Sequence, residues 1–88
     1  MQFSLEIVND KGLHARASAK FVETVEGFDA RAFVGRDGME VSGDSIMGLM
    51  MLAAARGTSI DVRVEGSQAC ELAEALRTLV SGRFGEPS

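Results

Sequence analysis

The feature that most constrains the fold of this chain is the change of hydrophobic period along it. Apolar residues alternate with polar ones in residues 2–7 and, most clearly, in residues 60–64, a period of two that is typical of half-buried strands. In residues 14–25 and 69–80 the apolar residues recur instead at helical spacing. The chain must therefore combine amphipathic helices with strands that each have one apolar face.

Turn and cap residues mark further elements between these segments. Asp37-Gly38 readily supplies the positive φ angles of a tight hairpin, so residues 30–35 and 39–42 are predicted to form two adjacent strands. Ser45 and Ser67 are predicted N-caps, the first for a helix over residues 46 to about 55 and the second for the last helix. The glycines that can end the three helices are Gly27, Gly57 and Gly82.

The resulting order is β-α-β-β-α-β-α, which predicts a two-layer α/β (α+β) sandwich with one packed and one exposed sheet face. The residues alone leave a ferredoxin-like arrangement of these elements open. At 88 residues the chain is long enough for one domain, residues 1–88, and too short for two. Residues 82–88 are expected to form a loose tail.

Composition excludes several classes of function. The net charge is −4 and there is no Trp or Tyr, whereas a nucleic-acid-binding domain needs a basic stripe and stacking aromatics. The longest apolar run, residues 46–55, is shorter than the roughly 20 residues of a membrane span. The first residues contain acids where a secretory signal needs a basic start, so we expect a cytoplasmic location. We also expect a monomer.

The chain has one cysteine and one histidine. A single cysteine cannot form an internal disulfide, and this pair cannot build a Cys/His zinc cluster, so no metal is predicted. Cys70 has no basic neighbours that would activate its thiol, and we predict that it is a small buried side chain on the last helix.

The single histidine, His14, lies at the predicted start of the first helix, in the stretch GLHARASAKF. From Lys11 to Val22 the chain carries Lys11, Arg16 and Lys20 and no acid. A cationic patch on an acidic protein implies an anionic ligand, and a helix N-terminus offers unpaired amides that suit phosphate. A lone histidine is otherwise most often a surface residue or a simple cap.

These residues resemble the active-site motif of the histidine-containing phosphocarrier (HPr) family of the phosphotransferase system and its nitrogen-branch relatives. GLHAR followed by an apolar helix carries the resemblance, and GDSIMGLMMLAA at residues 43–54 resembles the regulatory-serine helix of the same family. The resemblance implies an open-faced, four-stranded antiparallel sheet with three helices on one side. It also implies a phosphocarrier without turnover of its own.

The resemblance assigns roles near His14. Nδ1 of His14 would accept a phosphoryl group from phosphorylated enzyme I and pass it to an enzyme IIA-type protein, with no cofactor. The Arg16 side chain and the backbone N–H groups of Ala15 and Ala17 would stabilise the phosphoryl group. Many relatives have proline where this chain has Ala17, and alanine occurs in regulatory members of the family, which favours a regulatory over a sugar phosphotransferase system.

The second block implies partner docking and a possible switch. Ile46, Met47 and Met50 match the docking surface of the family, to which we add Lys20, and flexible methionines suit several partners. Ser45 matches a serine that a dedicated kinase (HPr kinase/phosphorylase) modifies in many relatives. Asp44 replaces the lysine that often precedes that serine. The alternative function is a non-catalytic interaction domain of the same fold, regulated through Ser45.

Overall fold

The apolar faces of the strands lie against three helices in a computed structural model that describes all residues 1–88. The strands are β1 (Gln2–Glu6), β2 (Arg31–Arg36), β3 (Met39–Ser42) and β4 (Ser59–Glu65), and the helices are α1 (Ala15–Glu26), α2 (Ile46–Met51) and α3 (Ala69–Ser81). A 3-10 turn over Arg83–Gly85 follows. The sheet is antiparallel throughout, with the strand order β1-β4-β2-β3. The predicted open-faced sandwich with three helices on one side is confirmed.

Strand β4 lies inside the sheet and fixes its register. Leu5 of β1 pairs with Ile60, and Val34 of β2 pairs with Val62, so these buried side chains share the inner face. On the outer face Ser4 lies opposite Asp61 and donates a hydrogen bond to it at 2.9 Å. The alternation in residues 60–64 therefore does separate a packed face from an exposed one.

One hydrophobic cluster joins the sheet to the helices. Helix α1 packs against both α2 and α3, and it contributes Phe21, which is fully buried. The other apolar side chains that the helices bury are Ala17, Val22 and Val25 from α1, Leu49 from α2, and Leu72, Ala73, Leu76 and Val80 from α3. These contacts hold α1, which begins next to His14, against the rest of the domain. No helix is both long enough and apolar enough to cross a bilayer.

Several predicted boundaries were wrong. Helix α1 begins at Ala15, because His14 has extended dihedrals and is the N-cap. Helix α2 ends at Met51 instead of near residue 55, because Ala53 takes a positive φ of 51° and turns the chain. Gln68, not Ser67, is the N-cap of α3, since the Ser67 hydroxyl donates to Asp29 instead. The Ser45 N-cap is confirmed, with Oγ accepting from the Gly48 amide at 3.0 Å.

The position of Cys70 also differs from the prediction. Its side chain is exposed. The buried positions of α3 are 72, 73, 76 and 80, and residue 70 lies two positions before the first of them, which places it off the apolar stripe.

The last residues pack against the domain instead of forming the loose tail that we expected for residues 82–88. Phe84 is fully buried and belongs to the hydrophobic cluster. Arg83, Phe84 and Gly85 have φ angles of 58°, 55° and 78°, and this left-handed turn sends the chain back towards the start of α1. A lone phenylalanine between Arg83 and Gly85 forms no periodic pattern, so hydrophobic periodicity did not predict this packing.

Candidate functional site

His14 is held at the start of α1 by a loop that packs on the segment after α2. Gly12 has a φ of 65°, and a Cβ there would lie 2.4 Å from the carbonyl oxygen of Ala54. The amide of Leu13 donates to the same oxygen at 3.0 Å. Only glycine fits this approach, which explains the glycine two residues before the histidine.

The His14 imidazole is not used as a helix cap. As N-cap, His14 makes no side-chain hydrogen bond to the first turn, and its carbonyl accepts from the Ser18 amide at 2.9 Å. About a quarter of the side chain is exposed. Neither ring nitrogen is therefore engaged by the backbone of α1.

The Nε2 atom of the ring contacts the tail. It lies 2.5 Å from Oε2 of Glu86, and Oε1 of the same carboxylate accepts from Nδ2 of Asn9 at 3.0 Å. Nδ2 of Asn9 also donates to the carbonyl of Gly12 at 2.9 Å. The Glu86 carboxylate thus links Asn9 and His14 to the tail. We call these three residues, Asn9, His14 and Glu86, the histidine cluster.

The ionisation of Glu86 fixes the roles of the ring nitrogens. Burial is the largest influence on the pKa of Glu86 and raises it, but the hydrogen bonds from His14 and Asn9, with the nearby positive charges of His14 and Lys11, lower it by more. The pKa therefore lies below its ordinary value of 4.5. An ionised carboxylate can only accept, so Nε2 must carry the proton. In the neutral ring Nδ1 then holds the lone pair, and Nδ1 has no hydrogen-bond partner in the chain.

Two basic side chains without ion-pair partners share a cleft with the His14 ring. A cleft of about 290 Å³ beside the ring is lined by Asp10, Lys11, His14, Arg16, Glu86, Pro87 and Ser88. Lys11 and Arg16 are exposed and take part in no ion pair, whereas Asp10 is paired with Arg56 at 2.5 Å. The cleft therefore offers two unpaired cations to an anion.

The backbone amides of the first three residues of α1 have no hydrogen-bond partner. Ser18 is the first residue of this helix whose amide donates a hydrogen bond. Ala15 and Arg16 lie at the surface beside His14, whereas Ala17 is fully buried. The structure thus brings His14, Arg16 and Ala15 together as predicted and places Ala17 deeper.

The predicted docking residues divide into two groups. Ile46, Met47 and Met50 lie on α2 with 40%, 75% and 43% of their surface exposed, while Leu49 between them is fully buried. Met51 is also exposed, and we call Ile46, Met47, Met50 and Met51 the α2 apolar patch. Lys20 is partly buried, and its ammonium donates to the carbonyl of Phe84 at 2.6 Å. Lys20 is thus engaged with the tail.

Sequence reasoning missed Asn9 and Glu86. Residues 14 and 86 are far apart in the chain, and no local pattern links them. The one available signal was Phe84, an apolar residue in an otherwise polar tail, which could have indicated that the tail is anchored. No group of three or more His, Cys, Asp or Glu side chains is arranged to hold a metal ion.

The chain resembles known proteins over most of its length. The family profile "PTS HPr component phosphorylation site" matches residues 1–82. The chain is 49% identical over 83 residues to the phosphocarrier protein HPr of Neisseria meningitidis, covering 94% of this chain and 93% of that protein. It is 37% identical over 84 residues to the phosphocarrier protein NPr of Escherichia coli, covering 94% and 93% respectively. A crystal structure of HPr from Thermoanaerobacter tengcongensis matches with a TM-score of 0.94 and 36% identity over 100% of this chain and 99% of that one.

Proposed function

The chain belongs to the HPr family of the phosphotransferase system, and we propose that His14 is the residue on which this phosphocarrier carries its phosphoryl group. The observation that supports this most is the state of the imidazole. Its Nε2 is held by Glu86, its Nδ1 has no partner, and the unpaired Arg16 lies in the same cleft.

The proposed transfer uses the Nδ1 lone pair as the nucleophile. Once the phosphoryl group is bound, Arg16 and the amide of Ala15 stabilise its charge, with the amide of Ala17 contributing from a deeper position. The helix dipole adds about 0.3–1 kcal/mol at a site this exposed. Modest stabilisation suits a carrier, because a phosphoryl group that is held too tightly cannot be passed on. No metal or nucleotide is required of the carrier itself, since the partners complete each transition-state site.

The partners of this family are proteins of the phosphotransferase system. We propose phosphorylated enzyme I as the donor and an enzyme IIA-type protein as the acceptor. The α2 apolar patch supports docking, because α2 packs against α1, at whose start His14 lies. Lys20 contributes at the edge of that surface while it holds the tail. We propose that the protein acts as a monomer in the cytoplasm, where these partners operate.

The branch of the system is a separate question. Relatives of both the HPr and the NPr type match the chain over most of its length. Ala17 favours the regulatory branch over bulk sugar transport. Transfer from the phosphorylated protein to a panel of enzyme IIA proteins from both branches distinguishes them.

Ser45 offers a second level of control. Its hydroxyl accepts from the Gly48 amide, and it directly precedes Ile46 and Met47. A phosphate there carries a charge of about −1.5 to −2 and would oppose docking of an acidic partner rim. An interaction domain regulated only through Ser45 has less support, because the unpaired Lys11 and Arg16 beside His14 would then have no role.

The test is an assay with enzyme I and phosphoenolpyruvate that follows acid-labile phosphate on the protein. We expect stoichiometric labelling of the wild type and none of His14→Ala. Arg16→Ala should be labelled more slowly while its circular dichroism spectrum stays unchanged, and Cys70→Ser, an exposed change on α3, should behave as wild type. Full labelling of His14→Ala would overturn the proposal.

A further inference from the structure

We propose that Asn9 and Glu86 are positioning residues for phosphoryl transfer: Asn9 fixes the Glu86 carboxylate, and the carboxylate keeps the proton on Nε2 of His14 so that Nδ1 presents its lone pair. This inference rests on the proposed role of His14. Neither residue needs to touch the phosphoryl group, because each acts through the imidazole.

The position of Asn9 is unfavourable for the stability of the fold. It is fully buried, and both of its Nδ2 hydrogens are used, one on the carbonyl of Gly12 and one on Glu86. Both neighbours can only accept, so the orientation of the amide is fixed. Its Oδ1 is left without any hydrogen-bond partner. A buried, unsatisfied acceptor is unfavourable for stability, and a role in holding the carboxylate explains why the side chain is placed there.

Glu86 is brought to the ring by a tail that is anchored at several points. Phe84 is buried in the core, and Lys20 holds its carbonyl. The amide of Asp10 donates to the carbonyl of Ser88 at 3.1 Å, beyond Glu86 in the chain. The carboxylate therefore lies between two fixed points and is itself mostly buried. Such a side chain is oriented in advance and loses little entropy when the ring reacts.

The transfer step shows what the carboxylate does. The Nδ1 lone pair forms the N–P bond while the bond between phosphorus and the donor atom breaks, and that electron pair leaves with the donor. No proton is lost from the ring, which becomes a phosphorylated imidazolium with Nε2–H still directed at Glu86. The carboxylate stabilises this new positive charge, as the aspartate of Ser-His-Asp triads stabilises its imidazolium. On transfer to the acceptor the same protonated ring is the leaving group.

The kinetic test uses Glu86→Gln and Asn9→Asp, with Glu71→Gln, an exposed acid on α3, as the control for the loss of one negative charge. The concentration of the protein, which is the substrate of enzyme I, is varied while phosphoenolpyruvate is kept saturating. Glutamine keeps the size of Glu86 but removes its charge, and aspartate at position 9 removes both donors and repels the carboxylate. We expect kcat to fall about tenfold in both variants, the difference between a charged and a neutral hydrogen bond, with KM unchanged. Glu71→Gln should match the wild type.

A second measurement uses only the wild type and Glu86→Gln, and so does not depend on the folding of Asn9→Asp. The chain has one histidine, so 15N labelling of histidine gives one pair of ring signals. At a pH where the ring is neutral, we expect the wild type to hold the proton on Nε2 only. In Glu86→Gln the amide can donate as well as accept, so both tautomers should appear. A purely structural role of Glu86 would leave the tautomer unchanged.

The possible outcomes separate the two proposals. If the wild type is phosphorylated on His14 but Glu86→Gln keeps both its kcat and its single tautomer, this inference is overturned and the proposed function stands. A change in KM alone would also overturn it. If the wild type is not phosphorylated on His14 at all, both fail together.

Discussion

Lys20 in the second turn of α1 donates a hydrogen bond to the main-chain carbonyl of Phe84 at 2.6 Å. This contact ties the last segment of the chain to the helix that begins at His14. Because Glu86 follows two residues later and reaches Nε2 of His14, this contact also determines the surroundings of the His14 ring.

Removing the ammonium of Lys20 should loosen the tail. In Lys20→Met the Phe84 carbonyl loses a charged donor, and we expect the free energy of unfolding in urea to fall by about 1.5–3 kcal/mol. Lys11→Met is the matched control, because Lys11 is exposed and makes no ion pair, so its effect should stay within about 0.5 kcal/mol. Equal stability of the two variants would show that the Lys20 contact contributes nothing.

The histidine cluster gives stability a defined dependence on pH. The folded-state pKa of Glu86 is lowered below 4.5, so the ionised carboxylate stabilises the fold at pH values above 4.5. That contribution is lost as the pH falls through the lowered folded-state pKa, because the carboxyl must then be protonated in both states. We expect the stability difference between wild type and Glu86→Gln to be present above pH 4.5 and to shrink as the pH falls below that value, through the lowered folded-state pKa. A difference that grows as the pH falls below 4.5 would contradict the sign of this shift.

Two substitutions at Ser45 separate its capping role from its charge effect. Ser45→Ala removes the acceptor of the Gly48 amide, and we expect a loss of about 1 kcal/mol in thermal or urea unfolding. Aspartate caps helices as well as serine does, so Ser45→Asp should keep near-wild-type stability. Its added charge beside Ile46 should nevertheless weaken binding to enzyme I. Unchanged binding by Ser45→Asp would argue against a charge-operated switch at this position.

The α2 apolar patch should contribute binding energy without contributing stability. In Met50→Lys we expect KM for phosphorylation by enzyme I to rise about tenfold, which is typical of the loss of one contact side chain from a small docking surface. Unfolding should change by less than about 0.5 kcal/mol, because nearly half of the side chain is exposed. Cys70→Lys places the same charge on the exposed side of α3 and should leave KM unchanged. A similar rise in both variants would mean that the effect is not specific to α2.

Local patterns in the sequence predicted the parts of the structure that depend on nearby residues. The alternation in residues 60–64 predicted an inner and an outer sheet face, and the Ser45 cap was found as expected. His14 is the N-cap of α1 and Arg16 is its second residue, so the sequence also predicted that they lie together.

The remaining features depend on contacts between distant residues, for which a single sequence carries little signal. Glu86 reaches His14 only because a left-handed turn buries Phe84. This turn has no local pattern in the sequence, and the tail was therefore predicted to be loose. Ser67 has the chemistry of an N-cap, but a long-range hydrogen bond to Asp29 competes for its hydroxyl. Cys70 is apolar enough for the core, yet its position on α3 places it outside the buried stripe.

The most direct test of the central claim is the site of phosphorylation on the single histidine. The protein labelled with 15N in histidine is incubated with enzyme I and phosphoenolpyruvate, and the ring nitrogens are observed by NMR. We predict that the Nδ1 signal of His14 acquires a coupling to 31P while Nε2 keeps its proton. Phosphoryl transfer to the protein with the ring signals unchanged, or with 31P coupling at Nε2, would contradict it.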